Sequence, residues 1–262
     1  MRVVKRSGER EEFDRRKTIA AVMRAGVTPE EAEGIVQRLE AQLYEGITTE
    51  EIYRRVHEML QGRKAARYSL KKALLRLGPE GENFELYVAR LFQMEGFETE
   101  ARQVLEGKCT SHEVDVLMRK DGQRVMVECK FHNSLGVRSN IQCALYVYAR
   151  FLDLKESSKL DRPMLVTNTR FSSDAERYAS CMGMDLLGWR CPEDAGLESL
   201  ATKHRLFPIT ILDLRRNDQS VLLAHRFVVV DDLLERVRDL RTLLPKESAR
   251  DIEAQARELL PG

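Results

Sequence analysis

Asp115, Glu128 and Lys130 interrupt an otherwise apolar pattern in "HEVDVLMRKDGQRVMVECKFH", residues 112–132. The pattern reads as two strands that meet at Asp121-Gly122, and Asp-Gly in that setting predicts a two-residue type I′ turn. Lys120 then pairs with Gln123, and Asp115 falls opposite Glu128. Side chains alternate faces along a strand, so Met126, Glu128 and Lys130 share one face. Two carboxylates and an ammonium group converge on one patch. Facing carboxylates repel unless a cation or a proton relieves them. A divalent metal ion does this, and hard carboxylate oxygens are the ligands it prefers. The alternative is an exposed Glu128–Lys130 pair beside a solvated Asp115.

The flanking segments must hold that hairpin. A helix over 82–95 carries Phe84, Val88, Leu91 and Phe92 on one stripe. Strands are predicted over 97–105, 112–119 and 123–131, then a helix over 139–153. "PMLVTN" reads as a short buried strand, "SSDAERYASCMG" as a capped helix and "MDLLGW" as another strand. This alternation indicates a mixed sheet with helices on both faces. The tail reads as a strand "FVVVD" and helices over 231–244 and 246–260. "LLPKESARDIEAQARELL" faintly resembles a helix-hairpin-helix without its glycine, and packing is the expected role.

The front of the chain is different. Two short strands, "RVVKR" and "REEFD", flank a turn at Ser7-Gly8, and helical patterns follow over 15–25, 29–44 and about 50–61. Thr28 is the expected N-cap of the second helix, with Pro29 in its first turn and Glu31 completing a capping box. Thr49 is the expected N-cap of the third. "RKAARYSLKKALLR", residues 63–76, has six cations and no acid. It is either a solvated helix face, with Leu70, Leu74 and Leu77 turned inward, or a surface that meets phosphates. "LGPEGEN", residues 77–83, breaks the pattern and marks a domain boundary.

Composition narrows the class. At 262 residues, 43% hydrophobic and 32% charged, the chain can bury a real core under a heavily ionised surface. No apolar stretch approaches the roughly 18 residues of a membrane span, and "MRVVKRSGER" lacks the core of a signal peptide, so a cytoplasmic protein is expected. Five cysteines without C-x-x-C spacing indicate neither a disulfide framework nor a zinc ribbon.

Asp115 followed by Glu128-Cys129-Lys130 resembles the catalytic core of the PD-(D/E)XK nuclease superfamily, the restriction-endonuclease-like fold. "VTNTRFSSDAERYA" with "MDLLGW" is similar to the distal half of its Mrr-like branch. The resemblance spans about residues 80–205 and implies Asp115 and Glu128 as ligands of Mg²⁺ or Mn²⁺. It implies Lys130 as the residue that orients water, and Glu85 as an additional acid. Such a metal polarises a phosphate and acidifies water, which is what phosphodiester hydrolysis requires. His112, His132, Asn133 and Gln142 flank these positions. A histidine at a strand end is more often structural than a proton shuttle.

"VVKRSGEREEFDRRK", "GITTEEIYRRV" and "ARYSLKKALLRLG" together resemble the ATP-cone, the regulatory module in front of many ribonucleotide reductases. That resemblance covers about the first 78 residues. It implies binding of ATP or dATP as an allosteric ligand through Val3, Lys5, Arg6, Glu11, Lys17, Thr49 and Tyr53. Cations near a glycine turn suit a triphosphate, and Lys17 sits in a first helical turn, where the dipole favours anions.

The expected organisation is an α/β protein. A mainly helical ATP-cone with a small β cap occupies 1–78. A restriction-endonuclease-like αβββαβ core occupies 79–212, and a C-terminal strand and helical extension occupies 213–262. The expected activity is metal-dependent endonucleolytic cleavage, with DNA and a nucleoside triphosphate as partners and a homo-oligomer as the assembly. The alternative is a nucleotide-responsive DNA-binding regulator without catalysis. No G-x-x-x-x-G-K-[ST] motif is present to support ATP hydrolysis.

Overall fold

The computed structural model describes residues 1–5, 7–134 and 136–260. The described chain divides into two units, Met1–Leu70 and Lys71–Leu260.

In the first unit, β1 (Arg2–Val4) and β2 (Arg10–Glu12) pair antiparallel with Val3 opposite Glu11. The carboxylate of Asp14 accepts from the Lys17 N–H at 2.9 Å and so starts α1 (Arg15–Met23). In α2 (Pro29–Glu40) the capping box forms as expected, with the Glu31 N–H donating to Thr28 Oγ1 and the Thr28 N–H to Glu31. This helix ends short of the expected residue 44. The chain beyond it is drawn to β1, where the Gly46 N–H donates to Arg2 O and Ile47 O accepts from Val4.

The cap of α3 (Thr49–Met59) is Thr48, not Thr49: Thr48 has the extended backbone, and its hydroxyl accepts from the Glu51 N–H at 3.1 Å. Thr48 also bridges Val4, which brings the start of α3 beside β1. α4 (Gly62–Leu75) begins here and runs past Leu70. Ala32, Ile35, Val36, Leu39 and Val56 make the core of this unit. Each fully buried Leu, Ile or Val contributes about 1.5–3 kcal/mol.

In the second unit, α5 (Glu82–Met94) precedes β3 (Glu98–Glu106), β4 (Ser111–Lys120) and β5 (Gln123–Lys130). There follow β6 (Arg138–Ser139), α6 (Ile141–Leu154), β7 (Arg162–Thr167), β8 (Arg170–Phe171), α7 (Ser173–Met182) and β9 (Asp185–Leu187). The main sheet has the order β3-β4-β5-β7-β9, antiparallel through β5 and parallel from β5 onward. Leu117, Met126 and Leu165 pack with Ala144, Val147, Phe151 and Leu154 of α6 and with Ala175 and Ala179 of α7. Phe131, of opposite parity to Met126, meets Phe84 of α5 at 5.6 Å between ring centroids. The sheet is therefore mixed, with helices on both faces.

The tail contains α8 (Leu197–Lys203), α9 (Arg216–Ala224), α10 (Val230–Glu235), α11 (Val237–Leu243) and α12 (Lys246–Leu259). The expected strand "FVVVD" does not form. Its Val228 and Val229 N–H groups donate to the Asp232 carboxylate at 2.8 and 2.9 Å, which turns the chain into α10. Only an isolated bridge, Pro208 to Val229, remains of strand pairing there. The helix expected over 231–244 is two helices, broken at Arg236. α12 buries Ala249, Ile252, Ala256 and Leu259. Among the described residues no helix is long and apolar enough to cross a membrane.

Candidate active site

The turn at Asp121-Gly122 has positive φ at both residues, 51° and 77°, as type I′ requires. The resulting register runs from Lys120↔Gln123 to Val116↔Val127, as predicted, and the pairing stops there. On the other flank Ala101 pairs with Val116 and Gln103 with Val114, but Arg102, at φ 55°, makes no pair with Asp115. Asp115 thus sits at a gap in the ladder on both sides. Its side chain fills one gap: Asp115 Oδ2 accepts from the Cys129 N–H at 2.7 Å.

Three acids share this place. Burial raises the pKa of Asp115, while the Cys129 N–H and the Arg150 charge pull it down. Burial, reinforced by the charge of Asp115, pushes Glu128 up to about 7 against the pull of Arg150. Burial, again with Asp115, pushes Glu85 of α5 up to about 7. The crowding of negative charge anticipated from the hairpin is real, and Glu85 belongs to it. Lys130 closes β5, exposed and paired through its backbone with Thr167. No ion pair of its ammonium group occurs among the described residues.

Other flanking residues are committed elsewhere. His112 Nε2 lies 2.9 Å from Asp153, which also accepts from the Cys109 and Thr110 N–H groups. His132 Nε2 lies 3.0 Å from Ser139 Oγ, and its main chain is bonded on both sides to the Asn168 amide. Burial and the Lys130 charge lower the His132 pKa. His132 therefore anchors the chain just beyond Lys130. Gln142 is exposed, and its Oε1 accepts from Asn140 at 3.4 Å, while Asn133 accepts from Ser134.

The residue that sequence reasoning missed is Arg150. It lies on α6, is 8% exposed, and donates to Glu128 Oε2 and to the main-chain oxygen of Glu113. A charge among the inward positions Val147, Phe151 and Leu154 was the available signal.

The donor set suits a hard cation. Among the described residues no three His, Cys, Asp or Glu side chains form a ready cluster for a metal ion. Mg²⁺ does not need one, because it is commonly held by one or two carboxylates, with water and substrate oxygens completing the shell. Asp115 and Glu128 fit that pattern, each with one oxygen tied and the other without a hydrogen-bond partner among the described residues.

A second site lies in the first unit. A pocket of about 170 Å³ is lined by Val3, Glu11, Lys17, Thr49 and Tyr53, together with Phe13, Thr18, Ile52 and Tyr68. The β1–β2 pair supplies Val3 and Glu11, the first turn of α1 supplies Lys17, and α3 supplies Thr49 and Tyr53. Lys5 Nζ lies 2.9 Å from Glu11, and Lys17 Nζ lies 3.9 Å from the other Glu11 oxygen. Glu11 thus gathers two lysines at the pocket. Arg6 lies outside the described residues. Tyr68, hidden in the sequence within the basic helix, stacks on Tyr53 at 5.0 Å and 16°. Three of the six cations of that stretch are spent internally: Lys64 pairs with Glu31 at 2.8 Å, Lys71 lies 5.4 Å over the Trp189 ring, and Arg76 donates to Thr210 O.

Comparison with known proteins matches residues 1–76 to the ATP cone domain and residues 78–187 to a restriction endonuclease family of the Mrr type. An uncharacterized protein of Archaeoglobus fulgidus is 38% identical over 177 residues, which span 66% of this chain and 99% of the relative. The crystal structure of a protein of unknown function, AF1548, aligns with TM-score 0.63 at 37% identity, covering 69% of this chain and 98% of that one. MspJI restriction endonuclease in complex with a 27-mer oligonucleotide gives TM-score 0.39 at 14% identity, over 81% of this chain and 43% of that one.

Proposed function

This chain joins an ATP cone domain to an Mrr-type restriction-endonuclease domain and belongs to one family with the Archaeoglobus fulgidus protein, and we propose that it is a metal-dependent endonuclease acting on DNA. ATP or dATP, bound in the first unit, is the proposed allosteric ligand.

One observation carries the nuclease reading: Asp115, Glu128 and Glu85 crowd together where the ladder opens, and Lys130 ends the strand that carries Glu128. A divalent cation, Mg²⁺ or Mn²⁺, supplies Lewis acidity toward the phosphate and acidifies nearby water. Asp115 and Glu128 are the residues that would hold it. Lys130, two positions beyond Glu128 on the same face, neutralises a phosphate oxygen and orients the attacking water. Glu85 adds a third acid from α5. In the first unit, Lys5 and Lys17, gathered at Glu11, would meet a triphosphate, and the Tyr53–Tyr68 stack would offer an aromatic wall to the base.

The test is cleavage of plasmid and single-stranded DNA with Mg²⁺ or Mn²⁺, with and without ATP or dATP. Asp115→Ala and Lys130→Ala are each expected to lower metal-dependent cutting about 100-fold or more. A wild-type protein that binds DNA and cuts neither substrate would overturn the enzyme and leave the regulator.

A further inference from the structure

Arg150 is held in a way that packing does not explain. It stands 8% exposed on an otherwise apolar stripe, and its Nε has no partner among the described residues. A buried guanidinium group with an orphaned N–H is costly, and an aliphatic side chain would fill the same space without that cost. What the arginine gains is a bridge. One nitrogen donates to Glu128 Oε2 on β5 and another to the Glu113 main-chain oxygen on β4, two residues before Asp115. The bridge spans the two strands just past Val116↔Val127, where backbone pairing between them ends. The Tyr146 ring, one turn earlier on α6, lies 5.4 Å from the guanidinium carbon.

We propose that Arg150 is the positioning residue of the metal site, clamping β4 to β5 beyond the end of their ladder and fixing Glu128 by one oxygen so that the other faces the cation. The inference rests on the metal-nuclease reading above. Each acid then has the same design. Asp115 is tied through Oδ2 to the Cys129 N–H and Glu128 through Oε2 to Arg150, which leaves Oδ1 and Oε1 without a hydrogen-bond donor among the described residues. Groups that hold a ligating carboxylate in this manner set metal affinity without touching the metal. The competing role is opposite in sign: an arginine that merely neutralised Glu128 would be a rival of the cation, and its loss would tighten metal binding.

The experiment is calorimetric titration of the full chain with Mn²⁺ in the absence of DNA, for wild type, Asp115→Ala, Arg150→Gln and Arg150→Lys. Arg150→Gln is expected to bind Mn²⁺ about 10- to 100-fold more weakly than wild type. Arg150→Lys, which keeps the charge but has one donor nitrogen where the guanidinium group uses two, should recover part of that loss. Unchanged or tighter binding by Arg150→Gln overturns the positioning role while the metal site stands. Wild-type protein that takes up no Mn²⁺, or Asp115→Ala that binds as well as wild type, overturns the site itself and the positioning role with it. Should Arg150→Gln not fold, Arg150→Lys carries the test, and affinity equal to or above wild type is the refuting result.

Discussion

Asp153 shows how much a single well-placed acid organises. It lies on α6, and its carboxylate gathers the Cys109 thiol, His112 Nε2 and the Cys109 and Thr110 N–H groups, which together close the β3–β4 connection. Gly107 makes room, since a Cβ there would overlap that carboxylate. The thiol and imidazole bonds hold the Asp153 pKa down at about 2. A depressed acid contributes stability that is complete above its ordinary pKa and is lost as pH falls through the folded value. Wild type should therefore exceed Asp153→Asn in urea stability above about pH 4, and the difference should shrink steadily as pH falls toward about 2 and disappear below it. A constant difference across that range would contradict the account. His112 drew attention in the sequence because it flanks the carboxylates, yet it serves this connection. Asp115, Glu128 and Lys130 were legible because a turn of known type fixes which residues share a face. Arg150 and Tyr68 were not, because each reaches its site from a helix whose placement no local pattern encodes.

Among the elements, the segment Phe227–Asp231 is the clearest failure of pattern reading. Phe227, Val228, Val229 and Val230 are all buried, and a run of β-branched residues reads as a strand. Burial was correctly implied, but the backbone conformation was decided by Asp232, which takes two N–H groups that a ladder would have used. Asp232→Ala removes both bonds and is expected to cost about 1–2 kcal/mol, the upper range for a lost helix cap. Chemical denaturation measures it, and a change below about 0.5 kcal/mol would show that the apolar packing alone sets this turn. The hairpin and the α2 capping box were legible for the complementary reason: their determinants lie within a few residues of one another. The break at Arg236 and the shift of the cap from Thr49 to Thr48 depend on partners elsewhere in their unit.

For the whole molecule, the question is whether one unit governs the other. A nucleotide at 100 times its dissociation constant adds about 2.7 kcal/mol to the state that binds it. ATP or dATP should raise the melting temperature of wild type, and Lys17→Ala should abolish the rise. Regulation requires more, because a ligand with equal affinity for two states shifts neither. Cleavage rates that are identical with and without saturating nucleotide would separate binding from control, whereas a change in both rate and oligomeric state would join them. The left-handed backbone of Arg102 has a bearing on how copies of the chain avoid one another. β3 is the edge of the sheet, nine residues long, and such an edge offers its unpaired peptide groups to any neighbouring chain. Its outward positions carry Glu98, Glu100, Arg102 and Glu106, with only Val104 apolar among them, and the kink at Arg102 interrupts the straight run of donors and acceptors. The distortion that opens a space beside Asp115 also makes this border a poor template for aggregation.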